Sequence, residues 1–309
     1  MPAKPSFAQI HWVLDWDGTI TRHDTLSALV NLAASYKPDF PVTSKWERLS
    51  QDYMSDYTSD WEALTGRGRL PKTVQEEREL LQSLTVTEMR SLRRVSASGI
   101  FSGLTRQQLD EGAAKAIEAK HVELRRGYTE FSQMHRRGDM FNILSVNWSR
   151  HFIGACLHAA GASLEPASIY ANELEGIDAG RRSNGELLPE GGMHIVSSAD
   201  KLHHLKQLQQ RQRHQTHKET VATVYVGDSR PDIECLLAAD VGICIRDDAM
   251  SSSQKALFED LQRLQVRCRH VGEWEWEREW EDRDEWNVVW ARDFEEIRVW
   301  VDSLGARAS

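Results

Sequence analysis

Asp15 and Asp17 stand two residues apart in Asp15-Trp16-Asp17-Gly18-Thr19, directly after the apolar run Trp12-Val13-Leu14. The run reads as a short buried strand and Gly18 as a break into a loop. Successive strand side chains point to opposite faces, so the two carboxylates share one face. They lie about 7 Å apart on an ideal strand, and closer if a turn begins there. Such a pair suits a nucleophile and a general acid/base that share a divalent cation. A turn whose aspartates only cap the backbone has the same sequence.

The rest of the chain separates these readings. Val224-Tyr225-Val226 is a second strand-like run, followed by Gly227-Asp228-Ser229-Arg230-Pro231-Asp232. Pro231 fits the first turn of a helix predicted over 233–239. A third run, Phe141-Asn142-Ile143-Leu144, ends on Ser145-Val146-Asn147. Lys201 stands near the start of an amphipathic helix predicted over 200–208, with Lys206 as a second lysine on it. Acids, a hydroxyl, a lysine and further acids thus follow in order, three of the four at strand ends. In open α/β sheets, ligands bind beyond the carboxyl ends of the strands.

This order of motifs resembles the haloacid dehalogenase-like (HAD) superfamily, over roughly Ile10 to Phe258. The resemblance implies an α/β fold, a HAD-like (Rossmann-like) parallel-sheet core with an α-helical C1 cap. It makes Asp15 the nucleophile that forms an aspartyl phosphate, and Asp17 the group that protonates the leaving alcohol and then activates water. Ser145, Asn147 and Lys201 would bind phosphate, and Asp15, Asp17, Asp228 and Asp232 would surround Mg²⁺, Asp232 as a ligand or an orienting group. The second acid, Asp17, favours phosphate chemistry over carbon–halogen cleavage. Trp16 replaces the usual Phe or plain apolar residue and is expected to pack in the core. Val146-Asn147 follow Ser145 where phosphoserine phosphatases commonly carry two glycines, which argues against a serine substrate. These roles also make physical sense: phosphoryl transfer depends on in-line positioning and on cancelling spreading charge, and clustered carboxylates need a cation between them.

Between Asp17 and Ser145 the periodicity is mostly helical: 26–35, 46–64, 74–84, 88–95 and 107–119, with Asp24 or Thr25 capping the first. Gly66 to Pro71 breaks the helices. An all-helical insertion after the first strand resembles the C1 cap of the phosphoserine-phosphatase-like branch. The expected division is 1–24 with 128–309 as core, 268–309 being a Trp/acid-rich extension, and 25–127 as cap. A strand over 169–174 and a hairpin around Arg181 to Gly185 are expected before Lys201. Ser145 to Ser149, taken with Gly227 to Leu236, also resembles the HAD domain fused to TenA-like domains in plants, which dephosphorylates thiamine monophosphate, and uncharacterised fungal HAD proteins. Asp17 to Asp24 resembles the methionine-salvage phosphatases of the same branch.

The 309 residues carry a net charge of −9, so no basic face argues for nucleic acid. An anionic substrate must be drawn by local charge: the cation, Lys201, and Arg22, Arg150 or Arg230. Cys156, Cys235, Cys244 and Cys268 show no C-x-x-C spacing and read as free thiols. No apolar run is long enough to span a bilayer, and Met1 to Pro5 lacks a signal-peptide core, so a cytoplasmic protein is expected. His203, His204, His214 and His217 lack partners at zinc spacing, and His23 reads as a surface residue beside the Asp15 loop. Glu273 to Glu281 alternates acid with tryptophan, and Trp276/Trp280 and Trp286/Trp290 are each four apart. On a helix each pair would share a face. Packing onto the core is the favoured reading, and a partner-binding surface is the alternative. The function expected is Mg²⁺-dependent hydrolysis of a small phosphorylated metabolite. A phosphotransferase with the same intermediate and a non-catalytic binding protein are the alternatives; phosphate release separates the first, and loss of turnover in Asp15→Asn the second.

Overall fold

The computed structural model describes residues 6–66, 68–133, 139–215, 221–274 and 286–306. Met1 to Pro5, His217 and the Trp276/Trp280 pair lie outside them. The chain forms two compact units, one of Met1–Arg22, Leu124–Leu144 and Lys201–Ser309, the other of His23–Glu123 and Ser145–Asp200.

The first unit is built on a parallel sheet. Its strands are β1 (Ser6–Leu14), β2 (Met140–Leu144), β6 (Val221–Gly227), β7 (Val241–Ile245), β8 (Cys268–His270) and β9 (Val288–Ala291). They run in the order β2-β1-β6-β7-β9-β8, and each neighbouring pair is parallel. β6 is buried along its whole length, the pattern of a strand covered on both faces. The register sets Leu14 opposite Val226, so β1 and β6 end side by side and the two acid-bearing loops leave the sheet together. The helices of this unit include α5 (Tyr128–Gln133), α8 (Ile233–Ala238), α9 (Ser252–Arg263) and α10 (Phe294–Ala306). Trp12, Phe131, Phe141 and Phe294 form an aromatic cluster under the sheet, with ring centroids 4.9 Å apart for Trp12/Phe131 and 5.1 Å for Phe131/Phe294. Trp16 is fully buried, as its packing role requires.

The C-terminal tryptophans divide between elements. Trp290 lies on β9, where its ring meets His270 at 4.5 Å, and Trp300 on α10 packs against Trp274. Trp286 is exposed. The Trp286/Trp290 spacing therefore does not mark a helix; the β-branched run Val288-Val289 continues the parallel sheet instead.

The second unit holds α1 (Leu26–Tyr36), α2 (Val42–Thr65), α3 (Val74–Ser98), α4 (Arg106–Glu118) and α6 (Arg150–Ala159). Thr73 and Thr105 each close a capping box, with Glu76 and Gln108. The break expected between residues 84 and 88 does not occur. The β-branched Thr85-Val86-Thr87 weakens local propensity, but buried Leu84 and Leu92 hold the helix, and Thr87 donates to Asp60 at 2.5 Å. The expected 169–174 strand is two short ones, β3 (Ile169–Tyr170) and β4 (Glu173–Leu174), parted at Asn172. The Asn172 side chain bonds the Ile195 backbone and the Asn147 carbonyl. β4 pairs antiparallel with β5 (Leu187–Leu188), the expected hairpin.

Candidate active site

β1 ends at Leu14, and the turn Trp16–Ile20 follows Asp15 with non-helical dihedrals at Asp17 and Gly18. Gly18 takes φ +74°, a conformation glycine reaches without strain. β6 ends at Gly227, and a short 3₁₀ turn, Arg230–Asp232, leads into α8 with Pro231 in its first turn. Lys201 comes from the first turn of α7 (Ser198–Gln215), whose start is fixed by Asp200 accepting the Ser197 amide and hydroxyl.

These elements bring Asp15, Lys201, Asp228 and Asp232 together, all 3% exposed or less. Carboxylate oxygens of the three aspartates lie within 4.8 Å of one another. Lys201 Nζ donates to Asp15 Oδ1 at 2.5 Å and to Asp232 Oδ1 at 2.7 Å. Asp232 Oδ1 also accepts the Tyr225 hydroxyl at 2.6 Å. Its Oδ2 accepts the amides of Asp228 and Ser229 and the Ser229 hydroxyl. Both oxygens of Asp232 are thereby committed. Among the described residues, Asp15 Oδ2 and the Asp228 oxygens receive long contacts, 3.3–3.4 Å, from the Thr19 and Ser253 hydroxyls. Asp17 is half-buried and stands outside the cluster of three.

The electrostatics match this crowding. Burial first, then the charge of Asp232, lifts Asp15 well above the usual carboxylate range, against the pull of Lys201. The same two causes push Asp228 up to about 7. Burial would lower Lys201, but Asp15 and Asp232 outweigh it and hold its ammonium above the ordinary lysine value. With all four groups ionised, three negative charges and one positive leave −2 in a buried space, which a divalent cation would balance. The oxygen donors, and the open lone pairs on Asp15 and Asp228, suit a hard ion such as Mg²⁺.

Ser145 and Asn147 belong to the second unit, where both are buried. Ser145 Oγ accepts the Asn147 amide at 3.1 Å, and the Asn147 side chain donates to Thr25 Oγ1 at 3.1 Å. Glu173 caps the start of α6 through the Ser149 hydroxyl and the His151 amide. Arg150 is paired with Asp178 and Glu190, and Arg230 with Asp260, so neither guanidinium is held in reserve for a substrate; Arg22 and His23 are exposed. All four cysteines are free thiols. Thr19, Tyr225, Ser253 and Arg125 escaped the sequence reading. Thr19 is flagged by its place in the aspartate motif, whereas a strand tyrosine, a surface-like serine and one of two adjacent arginines carry no local signal.

The family model for haloacid dehalogenase-like hydrolases matches residues 12–237, which span both acid-bearing loops, Ser145 and Lys201. The chain belongs to that family. Among curated relatives it is 27% identical to a CTO1 family protein of Schizosaccharomyces pombe, with 82% of this chain and 88% of the relative covered. It is 26% identical to the bifunctional TH2 protein, mitochondrial, of Arabidopsis thaliana, over 66% of this chain and 32% of that longer protein. The solved structure of cytosolic 5'-nucleotidase IIIB bound to cytidine shares the fold, with TM-score 0.53, 14% identity, and 98% and 88% of the two chains covered. Among the described residues, no helix is long and apolar enough to cross a membrane.

Proposed function

We propose that this HAD-family hydrolase is a phosphatase that hydrolyses a small-metabolite phosphate monoester through an aspartyl phosphate on Asp15, with Mg²⁺ as cofactor. The observation that supports it is the buried Asp15–Lys201–Asp228–Asp232 cluster at the ends of two parallel strands. An Asp15 oxygen attacks phosphorus as the bond from phosphorus to the ester oxygen breaks. Asp17 supplies the proton that the leaving alkoxide takes up. Asp17 then accepts a proton from water, whose oxygen attacks the same phosphorus and releases inorganic phosphate and the Asp15 carboxylate.

Lys201 holds the Asp15 oxygen at 2.5 Å and offsets charge on the transferring group as a point cation. Asp232, saturated by five donors, orients Lys201 and pins the Asp228 loop. Asp15 and Asp228 would hold Mg²⁺, which supplies charge neutralisation and polarises the phosphoryl oxygens. The resemblance assigns Ser145 and Asn147 a contact to phosphate.

The test is phosphate release from a panel of monoesters with and without Mg²⁺, headed by thiamine monophosphate on the strength of the Ser145–Ser149 and Gly227–Leu236 resemblance. Phosphoserine, pyridoxal phosphate and sugar phosphates complete it. Mg²⁺-dependent release from one compound is expected, lost in Asp15→Asn and reduced in Ser145→Ala. Release that persists in Asp15→Asn would defeat the mechanism.

A further inference from the structure

The carbonyls of Gly18, Thr19 and Ile20 leave the Asp15 loop in succession, and one residue accounts for all three. Arg125 Nη2 donates to the Gly18 carbonyl at 2.7 Å, its Nε to the Thr19 carbonyl at 2.9 Å, and its backbone amide to the Ile20 carbonyl at 2.7 Å. The neighbouring Thr21 and Leu124 form an antiparallel bridge. Asp17 and Gly18 are not helical, and the turn is closed by the Thr21 amide and hydroxyl on the Trp16 carbonyl and by the Gly18 amide on Thr21 Oγ1, bonds that use none of these three carbonyls. The Arg125 side chain is 3% exposed, so its charge needs a nearby anion, and Asp247 lies 2.5 Å from Nη1. Gln254 holds Asp247 in turn, donating to its carboxylate at 2.8 Å and accepting its amide at 3.1 Å. Gln254 sits in the first turn of α9, beside Ser253, whose hydroxyl reaches Asp228. A closed circuit thus runs from the turn through Arg125, Asp247 and the start of α9 to Asp228, and returns through Thr19, which contacts both Asp228 and Asp15.

We propose that Arg125 is the positioning residue of this site: its guanidinium fork, anchored on Asp247, fixes the Asp17–Thr19 turn against Asp228. The catalytic consequence rests on the function proposed above; the positioning itself does not. A rigid planar fork is required, since it serves the Gly18, Thr19 and Arg292 carbonyls and the Asp247 carboxylate at set angles, which a lysine ammonium on a flexible stem does not reproduce. Arg126, one residue on, makes the contrast: its side chain is exposed and pairs with Glu295.

Two measurements on full-length Arg125→Ala and Arg125→Lys test this. In hydrogen exchange, peptides covering residues 16–21 are expected to exchange faster in both variants, while peptides covering β7 keep wild-type protection. In steady-state kinetics with the monoester that the panel identifies, kcat is expected to fall about 100-fold in Arg125→Ala, the scale of a misplaced reacting group, with KM within threefold of wild type. Methylguanidinium should restore kcat saturably in Arg125→Ala, and methylammonium should not. Arg125→Lys keeps the charge and is the variant to read if Arg125→Ala does not fold; it is expected to remain at least tenfold impaired. Unchanged exchange over 16–21, or wild-type kcat in Arg125→Lys, would overturn the proposal. A wild-type protein silent on every ester would refute the proposed function and leave the exchange result to decide the positioning role.

Discussion

Gly18 shows how little room the chemistry has at the level of single residues. A methyl group built on it would sit 2.4 Å from Asp228 Oδ2, and its φ of +74° disfavours any L side chain. Gly18→Ala is therefore expected to displace Asp228 or the turn and to lower kcat by about 100-fold or more. A variant with near-native kcat would show that the close approach is dispensable. The acids were legible in sequence because each sits at a strand end close to a glycine or proline, and the lysine because it stands at a helix start just after Ser197-Ser198. Arg125 was not, because its partners are backbone carbonyls more than 100 residues away in sequence, and nothing in Glu123-Leu124-Arg125-Arg126 distinguishes the buried arginine from the exposed one. The double commitment of Asp232 was equally hidden, since it needs Tyr225 to point along the same side of β6.

At the level of elements, helices were read well where a single face carries the apolar residues, as in α1 and α4, and a capping box marks the start of α4. Reading failed where tertiary contacts outweigh propensity, as in the middle of α3, and where a side-chain amide takes over the backbone, as at Asn172. The α2–α3 pair carries its own pH dependence. Tyr53 on α2 donates to Glu88 on α3 at 2.9 Å, and burial, opposed by that bond, pushes the Glu88 carboxyl up to about 7. A raised acid favours the folded state fully only below its unfolded value near 4.5. That support is lost as pH rises from there through about 7, so at pH 8 the ionised group is a cost. Glu88→Gln keeps an acceptor for Tyr53 and removes the charge. It is expected to raise the melting temperature at pH 8 by about 2–4 °C, corresponding to about 1 kcal/mol after discounting for partial exposure, and to match wild type near pH 4. Parallel melting curves for the two proteins across that range would contradict this.

For the whole molecule, the parallel sheet brings distant loops together. It ends β1 and β6 side by side, so that loops more than 200 residues apart in sequence deliver Asp15 and Asp228 to one buried point. The α/β class and the order of motifs followed from hydrophobic runs and their punctuation. The strands β8 and β9 that extend the sheet did not, because at three and four residues they are too short to show a period. Keeping like charges buried together costs stability, and a scaffold retains such a cluster where the charges are used. The most direct test of that use is to quench wild-type protein during turnover, reduce it with borohydride, and examine the peptide containing Asp15 by mass spectrometry. Conversion of Asp15 to homoserine, dependent on substrate and absent without it, is the expected result. Active turnover with Asp15 unmodified under conditions that trap a control acyl phosphate would contradict nucleophilic attack by this residue.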